Sequence, residues 1–408
     1  MDSVKAEYSQ VLLVDNGGFF PEDDLHKPAA WFLMDAMKLL GTDAVGVSEK
    51  ELRFGLGFLK AQQKRSQLPL VSANLIDKAS KRPVFAPYLV RNVGGVKVGI
   101  FSLLSNQADL GPSRDSLVAE EPSAAAKRTI AELRKKGATI VVLLSNLGKV
   151  ESEDLVTAVD GIDAVMVGRN VPLLQKGRLV KNTVAAYGGE QGQYMGRTIL
   201  SLNGQKRMAT GDNEMFVLGP EVGEKKEIAT LVKSFEDKLN EDMRKEEQKR
   251  VVEAEKNKDA PDHYLGSELC SRCHAAEATQ WKTTEHARAW QTLVDVKKDA
   301  NPDCIVCHVV GYKQPGGFQT AATTPNLSNV QCENCHGMGT QHEAFATVPR
   351  KITEQTCRTC HTATTDPPFD FAVYMPHIAH KWTGQKPPLP PNPAKQMMKA
   401  GTMSGSGR

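Results

Sequence analysis

Residues 332–336 read Cys332-Glu333-Asn334-Cys335-His336, and the same pattern recurs at Cys270/Cys273/His274, Cys304/Cys307/His308 and Cys357/Cys360/His361. These four pairs use all eight cysteines, and nine of the ten histidines lie at or beyond His263. Cys-x-x-Cys-His is the attachment signature of c-type haem. The spacing has a physical cause: two thiols add to the vinyl groups on one porphyrin edge, and the adjacent imidazole falls beneath the iron as proximal ligand. Zinc sites, a disulfide framework or thioredoxin-like pairs also use Cys-x-x-Cys, but none needs a histidine after each second cysteine. The reading is four covalently bound c-type haems, held by Cys270, Cys273, Cys304, Cys307, Cys332, Cys335, Cys357 and Cys360 and ligated by His274, His308, His336 and His361.

The flanking sequence supports this. From His263 onward the apolar fraction drops, strand patterns end, and Gly, Pro, Thr and Asn fill the spaces between the motifs, so four planar cofactors would replace the missing aliphatic core. His263, His286, His342, His377 and His380 are the candidates for the sixth coordination positions. His286 falls in an expected helix over Trp281 to Leu293, His342 follows the third motif through Gly337-Met338-Gly339, and His380 closes the packed region; Met338 could ligate through sulfur. Were only three irons to gain a second imidazole, the fourth would keep an open position, which is what separates an enzyme from a carrier.

The rest of the 408-residue chain has a different chemistry. Between Gln10 and Gly219, β-rich runs (Gln10 to Val14, Leu70 to Leu75, Val96 to Leu103, Ile140 to Ser145, Ala164 to Gly168) alternate with amphipathic helices at Pro28 to Leu40 and Pro122 to Lys136, an α/β pattern. Tyr88 to Val93 and Val96 to Leu103, joined by Gly94-Gly95, form an inserted hairpin, so the sheet is expected to be mixed. Glu221 to Lys258 is a Lys/Glu-rich helix, a solvated connector in its second half. The expected organisation is an α/β domain over 1–218, a charged helical linker over 219–262, a mostly α, haem-packed domain over 263–384 and a Pro/Gly/Ser-rich tail over 385–408. A formal net charge of +3 gives no reason to expect a nucleic-acid partner. No run approaches the roughly 18 apolar residues of a membrane span. Met1 to Gln10 lacks a signal-peptide pattern, so any secretory signal is expected to lie outside this sequence.

Two family resemblances follow. Tyr264 to His380 resembles the tetrahaem cytochrome c-554 family through Gly266-Ser267-Glu268, Glu285-His286-Ala287-Arg288-Ala289, Gly311-Tyr312, Pro315-Gly316-Gly317-Phe318, Asn329-Val330-Gln331-Cys332-Glu333 and Phe369-Asp370-Phe371 with Tyr374 and His380. This implies a mostly helical fold around packed haem pairs, mainly bis-histidine irons, and electron transfer in the periplasm or outside the cell; some relatives keep one five-coordinate haem.

Gln10 to Leu218 resembles the metallophosphatase domain of bacterial 5′-nucleotidases through Asp35-Ala36-Met37, Asp43-Ala44-Val45, Ser72-Ala73-Asn74-Leu75, Val93-Gly94-Gly95-Val96-Lys97-Val98-Gly99 and Gly161-Ile162-Asp163. That family hydrolyses phosphate esters with two metal ions, and this chain departs from its ligand motifs. Asp15-Asn16-Gly17-Gly18 puts Gly18 where the bridging carboxylate would stand, and Ser48-Glu49-Lys50-Glu51 puts Lys50 in place of the phosphate-contacting histidine. Asn146 replaces a histidine ligand, Val167-Gly168-Arg169-Asn170-Val171 replaces a two-histidine motif, and the family's first strand is missing. Fixed cations opposing divalent metals imply a domain without phosphohydrolase activity, with Lys50 and Arg169 as an alternative anion site.

The expected function is electron transfer outside the cytoplasm, in the periplasm or at the cell surface, between redox donor and acceptor proteins that include other multihaem cytochromes. The phosphatase-like domain would serve docking or assembly, and a homo-oligomer or haem-bearing filament is a variant. The rival readings are an oxidoreductase with one open-coordinated haem acting on a small nitrogen or sulfur compound, and a metal-dependent phosphoesterase fused to a cytochrome.

Overall fold

Alternation along the strands builds the first part of the chain. In Ile140–Asn146, Val141 and Leu143 enter one apolar cluster while Ile140, Val142 and Leu144 enter another, and Val96–Leu104 repeats this with Phe101 and Leu103 against Val98 and Ile100. A period of two with both faces apolar means a sheet covered on both sides. In this computed structural model, which describes residues 2–24, 26–169, 171–189, 192–255, 263–343, 352–381 and 383–391, that sheet has six strands. Their order is Arg178–Val180, Thr183–Tyr187, Ala164–Val167, Ile140–Asn146, Val96–Leu104, Tyr88–Val93. The central pairs are parallel and both edge pairs antiparallel, so the sheet is mixed as expected.

One face of this sheet is covered by Pro122–Lys135 and Lys149–Ala158, through Ala126, Ile130, Leu133 and Leu155. The other shares its cluster with Ala44 and Val71 of a parallel three-stranded sheet, Val14–Asp15, Ala44–Gly46, Leu70–Val71. The far side of that small sheet packs on Lys27–Leu40 and Leu56–Ser66 through Met34 and Leu59. The result is a sandwich with helices outside two sheets. An antiparallel ribbon, Tyr194–Leu202 with Met208–Val217, sends Leu200 and Met208 against the inter-sheet cluster.

Two expected strands differ. The run from Gln10 to Val14 is strand only at Val14–Asp15, because Leu13 N–H is taken by the Asp43 carboxylate at 3.0 Å before a ladder can extend. Leu70 to Leu75 splits, with Leu70–Val71 in the parallel sheet and Leu75–Asp77 antiparallel to Leu117–Ala119. The Asn74 side chain causes the break: its amide donates to the Leu104 and Glu120 carbonyls at 2.7 and 2.9 Å while its oxygen accepts from Leu104 N–H at 2.9 Å. The hairpin is as read, with Gly94 and Gly95 at φ 56° and 76°, the positive values that a tight two-residue turn requires.

The charged helix runs Lys226–Glu255, and the chain divides into two compact units between Val232 and Lys233, inside that helix. The last part of the expected linker, 256–262, and most of the expected tail, 392–408, lie outside the described residues. The second unit is made of short helices from Ser267–Cys270 to Phe371–Ile378, with one isolated bridge, Val309 to Ser328, as β-pairing among the described residues. It keeps a small apolar core of Leu293, Ile305, Val309, Val310, Phe318 and Leu327.

The helix expected over Trp281 to Leu293 is three pieces: Ala275–Trp281, a 3₁₀ turn at Glu285–Arg288, and Ala289–Asp295. Thr283 and Thr284 cause the interruption, their hydroxyls donating to the Gln280 and Trp281 carbonyls at 2.7 Å each and competing with the helical ladder.

Candidate functional site

Each motif sits on a tight helical turn. Ser267–Cys270, Pro302–Ile305, Cys332–His336 and Glu354–Arg358 are four or five residues long, and side-chain caps hold the last three where length cannot. Gln331 with Asn334 and Thr353 with Thr356 form reciprocal capping boxes, and Asn301 caps the second turn. On such a turn residues three and four apart share a face, so two sulfurs and one imidazole project together. His274 N–H and His361 N–H close this geometry on the Cys270 and Cys357 carbonyls at 3.0 and 2.9 Å.

The histidines meet in pairs. His274 and His342 have ring centroids 6.2 Å apart, His361 and His286 6.1 Å, and His336 and His380 6.2 Å. Two metal–imidazole bonds of about 2 Å plus about 1 Å from nitrogen to ring centre on each side span roughly 6 Å. The three separations therefore fit an iron held between each pair of rings. Two of the five distal candidates fall elsewhere: His263 is exposed, and His377 has its Nε2 on the Pro387 carbonyl at 2.8 Å. His308 has its Nδ1 on the Ala289 carbonyl at 2.6 Å, which fixes the tautomer that presents Nε2 to a metal.

The thiols report which attachment edges are neighbours. A hydrogen bond to Cys332, then burial, raises the Cys270 thiol, and the same bond lowers Cys332, so the first and third motifs abut. Burial, then the Cys357 and Cys360 thiols, pushes Cys335 up to about 11, placing the fourth motif beside the third. Burial and the charges of His380 and His274 lower His336.

Two carboxylates that the sequence pattern does not single out organise the region. Glu333, buried, accepts Leu265, Gly266 and Gly339 N–H groups at 2.8 to 3.1 Å and ties the first motif to the third. Asp366, also buried, accepts from His361 Nδ1 at 2.6 Å and from the Tyr374 hydroxyl at 3.2 Å. Only the position of Asp366 five residues past a motif histidine, on a turn, hints at this contact.

In the first unit, Asp15-Asn16-Gly17-Gly18 leaves its short strand with Gly17 and Gly18 at φ 83° and 82°. A Cβ on Gly17 would lie 2.3 Å from the Gly46 carbonyl oxygen. This left-handed turn aims successive N–H groups inward, a nest for an anion. The anion is internal: Glu51, fully buried, accepts from Gly18 N–H and Phe19 N–H at 2.9 Å, Phe20 N–H at 3.3 Å and Ser48 N–H at 2.9 Å.

Asn146 donates to the Asn16 carbonyl at 2.6 Å and Asn16 to the Met166 carbonyl at 2.9 Å. The sequence pattern points to Lys50, whereas it is Glu51 that turns inward and Lys50 pairs with Glu22 at 3.6 Å. Arg169, in left-handed conformation at φ 72°, pairs with Glu49 at 3.2 Å. Both cations thus have carboxylate counter-ions, which removes the excess charge an anion site needs. Asn170 lies outside the described residues. Among the described residues there is no group of three or more His, Cys, Asp or Glu side chains placed to hold a metal ion.

Comparison with known proteins agrees with this division. The family model "Cytochrome c554 and c-prime" matches residues 269–337, which contain the first three motifs. Cytochrome c-554 of Nitrosomonas europaea is 41% identical over 96 residues, 20% of this chain and 40% of the relative. The 5′-nucleotidase of Vibrio parahaemolyticus is 30% identical over 158 residues, 37% of this chain and 28% of the relative.

Among solved structures, the sulfate thiohydrolase SoxB of Thermus thermophilus, in complex with glycerol, superposes with a TM-score of 0.53 at 19% identity, covering 57% of this chain and 44% of that one. A 5′-nucleotidase precursor, also from Thermus thermophilus, gives 0.52 at 22% identity, covering 58% and 51%. At these identities the likeness is one of fold. The chain thus spans about two fifths of its cytochrome relative and under a third of its nucleotidase relative. It combines a cytochrome c554-like region with a metallophosphatase-like α/β domain. No helix among the described residues is long and apolar enough to cross a membrane.

Proposed function

We propose that the chain is a tetrahaem c-type cytochrome that carries electrons outside the cytoplasm, in the periplasm or at the cell surface, between redox proteins, other multihaem cytochromes among them. The observation that carries this reading is the three histidine pairs at 6.1 to 6.2 Å, each joining one motif histidine to one distal histidine. They support His342 as the second ligand at the site of His274, His286 at that of His361 and His380 at that of His336. Haem supplies a one-electron iron couple whose potential follows ligand, burial and nearby charge. At these three sites the protein would supply both axial imidazoles, so gain or loss of an electron there needs no ligand exchange. The neighbouring thiols, Cys270 with Cys332 and Cys335 with Cys357 and Cys360, support a continuous order from first to third to fourth site.

The metallophosphatase-like domain is inert in this reading and serves docking or assembly. Support comes from Glu51, whose carboxylate takes up the inward N–H groups of the turn in which the resemblance would have a metal-bridging aspartate.

The test is a low-temperature electron paramagnetic resonance spectrum of the fully loaded oxidised protein, with carbon monoxide added to the reduced form. Low-spin signals are expected from the haems of His274, His336 and His361, for which two imidazoles are proposed, and a carrier should show no carbon monoxide shift at any haem, that of His308 included. A high-spin signal with carbon monoxide binding at one haem would overturn the carrier reading in favour of an oxidoreductase acting on a small nitrogen or sulfur compound.

A further inference from the structure

A histidine bound to metal through Nε2 carries its proton on Nδ1, and the acceptor of that proton sets how strongly the ring donates to the metal. The acceptors in this region are not alike. His308 Nδ1 meets the neutral Ala289 carbonyl at 2.6 Å, and distal His380 Nδ1 meets the neutral Gln280 amide oxygen at 2.9 Å. His361 Nδ1 meets the Asp366 carboxylate at 2.6 Å, the length of a strong charge-assisted bond.

Asp366 is built in place. It is 4% exposed, its other oxygen accepts from Tyr374 at 3.2 Å, and its own N–H is held by the Thr362 carbonyl at 2.8 Å. The His361 ring is fixed against it by Phe369, stacked at 4.7 Å and 22°, and by Tyr374 edge-on at 5.6 Å. Both partners of this bond are thus held by further contacts.

We propose that Asp366 is a positioning residue that makes the haem of His361 the low-potential member of the set, and hence the strongest electron donor of the set. The inference rests on His361 being an iron ligand, as proposed above. Two effects act in one direction. A carboxylate draws on the Nδ1 proton and makes the ring a stronger donor, which favours ferric over ferrous iron. Its negative charge also favours the oxidised site, which carries one more positive charge, and burial limits the screening of that attraction. Oxidation removes one electron from the iron while the proton stays between Nδ1 and Asp366, so no co-reactant beyond the redox partner is needed.

The experiment is a redox titration of the haem-loaded full chain, following each low-spin signal separately, on wild type, Asp366→Asn, Asp366→Glu and Tyr374→Phe. Asp366→Asn keeps the shape and removes the charge. It is expected to raise one potential by a tenfold change in reduction equilibrium, about 59 mV for a one-electron couple, with Asp366→Glu restoring most of the shift. Tyr374→Phe, which leaves the carboxylate charge with one acceptor bond fewer to satisfy, should move the same potential down. Unchanged potentials in Asp366→Asn, or an equal rise at all four haems, would overturn the proposal. Should Asp366→Asn fail to load, Tyr374→Phe decides alone, and no downward shift overturns it. Failure of the underlying reading looks different: the wild-type peptide containing Cys357 and Cys360 would then carry no haem mass.

Discussion

Asp15 and Glu51 place two carboxyl groups in one crevice, and only Glu51 is saturated by backbone donors. Burial pushes Asp15 up to about 6, against a pull downward from the Gly17 N–H and a further push from Glu51. A carboxyl that titrates near 6 folded and near 3.9 unfolded holds its proton more tightly in the folded state. Its stabilising contribution is therefore complete below about pH 4 and is lost as pH rises through about 6. Asp15→Asn keeps an acceptor for Gly17 N–H and has no proton to lose. Thermal unfolding should show it gaining on the order of 2 kcal/mol over wild type at pH 7.5 and little at pH 4; parallel profiles for the two proteins would count against this.

Legibility at this scale is uneven for a physical reason. Cysteines and histidines of an attachment motif are neighbours in sequence because the chemistry is local. Glu51 and Asp366 act through contacts that the fold creates, at separations of up to 33 residues for Glu51, and carry no spacing signature.

At the scale of elements, the three histidines proposed as distal ligands come from segments with little structure of their own: a 3₁₀ turn for His286, a four-residue helix for His342, and the chain just past Phe371–Ile378 for His380. None would be stable alone, so their geometry depends on the packed haem region. Replacing His286, His342 or His380 by alanine is expected to convert one low-spin haem into a high-spin, carbon monoxide-binding one, a different one in each case. The same change at His263 or His377 should leave the spectrum as in wild type; a new high-spin signal there would contradict the assigned pairs.

Long periodic elements are legible in the amino-acid pattern, since the Pro122–Lys135 helix and the Tyr88–Val93/Val96–Leu104 hairpin follow from the spacing of apolar residues and glycines. The ribbon of Tyr194–Leu202 and Met208–Val217 is not, because mixed exposure along both strands hides the alternation. The threonine interruption after Trp281 is equally hidden, because hydroxyls disrupt a helix only when they turn onto it.

For the whole molecule, the two units answer to different tests. If the metallophosphatase-like unit is inert, the loaded protein should show no hydrolysis of nucleotides with Mn²⁺, Zn²⁺ or Mg²⁺ present, and metal analysis should find iron alone. Turnover that a chelator abolishes would sink that reading. The formal +3 of the chain leaves out the haem propionates, whose ionisation could turn the loaded protein negative. A basic partner would then be favoured, and salt would slow its association.

If the first unit holds no metal, as proposed, the buried Glu51 also makes a metal centre hard to install. Placing an aspartate at position 18 alone would force a side chain into a backbone at φ 82° and set another negative charge beside Asp15 and Glu51, with no cation to balance them. Removing Glu51 first would strand the four N–H groups it satisfies. Either first step costs stability without supplying chemistry. On the proposed inert reading the position therefore behaves as a ratchet: neither substitution alone would make a metal site, and each alone is expected to cost stability.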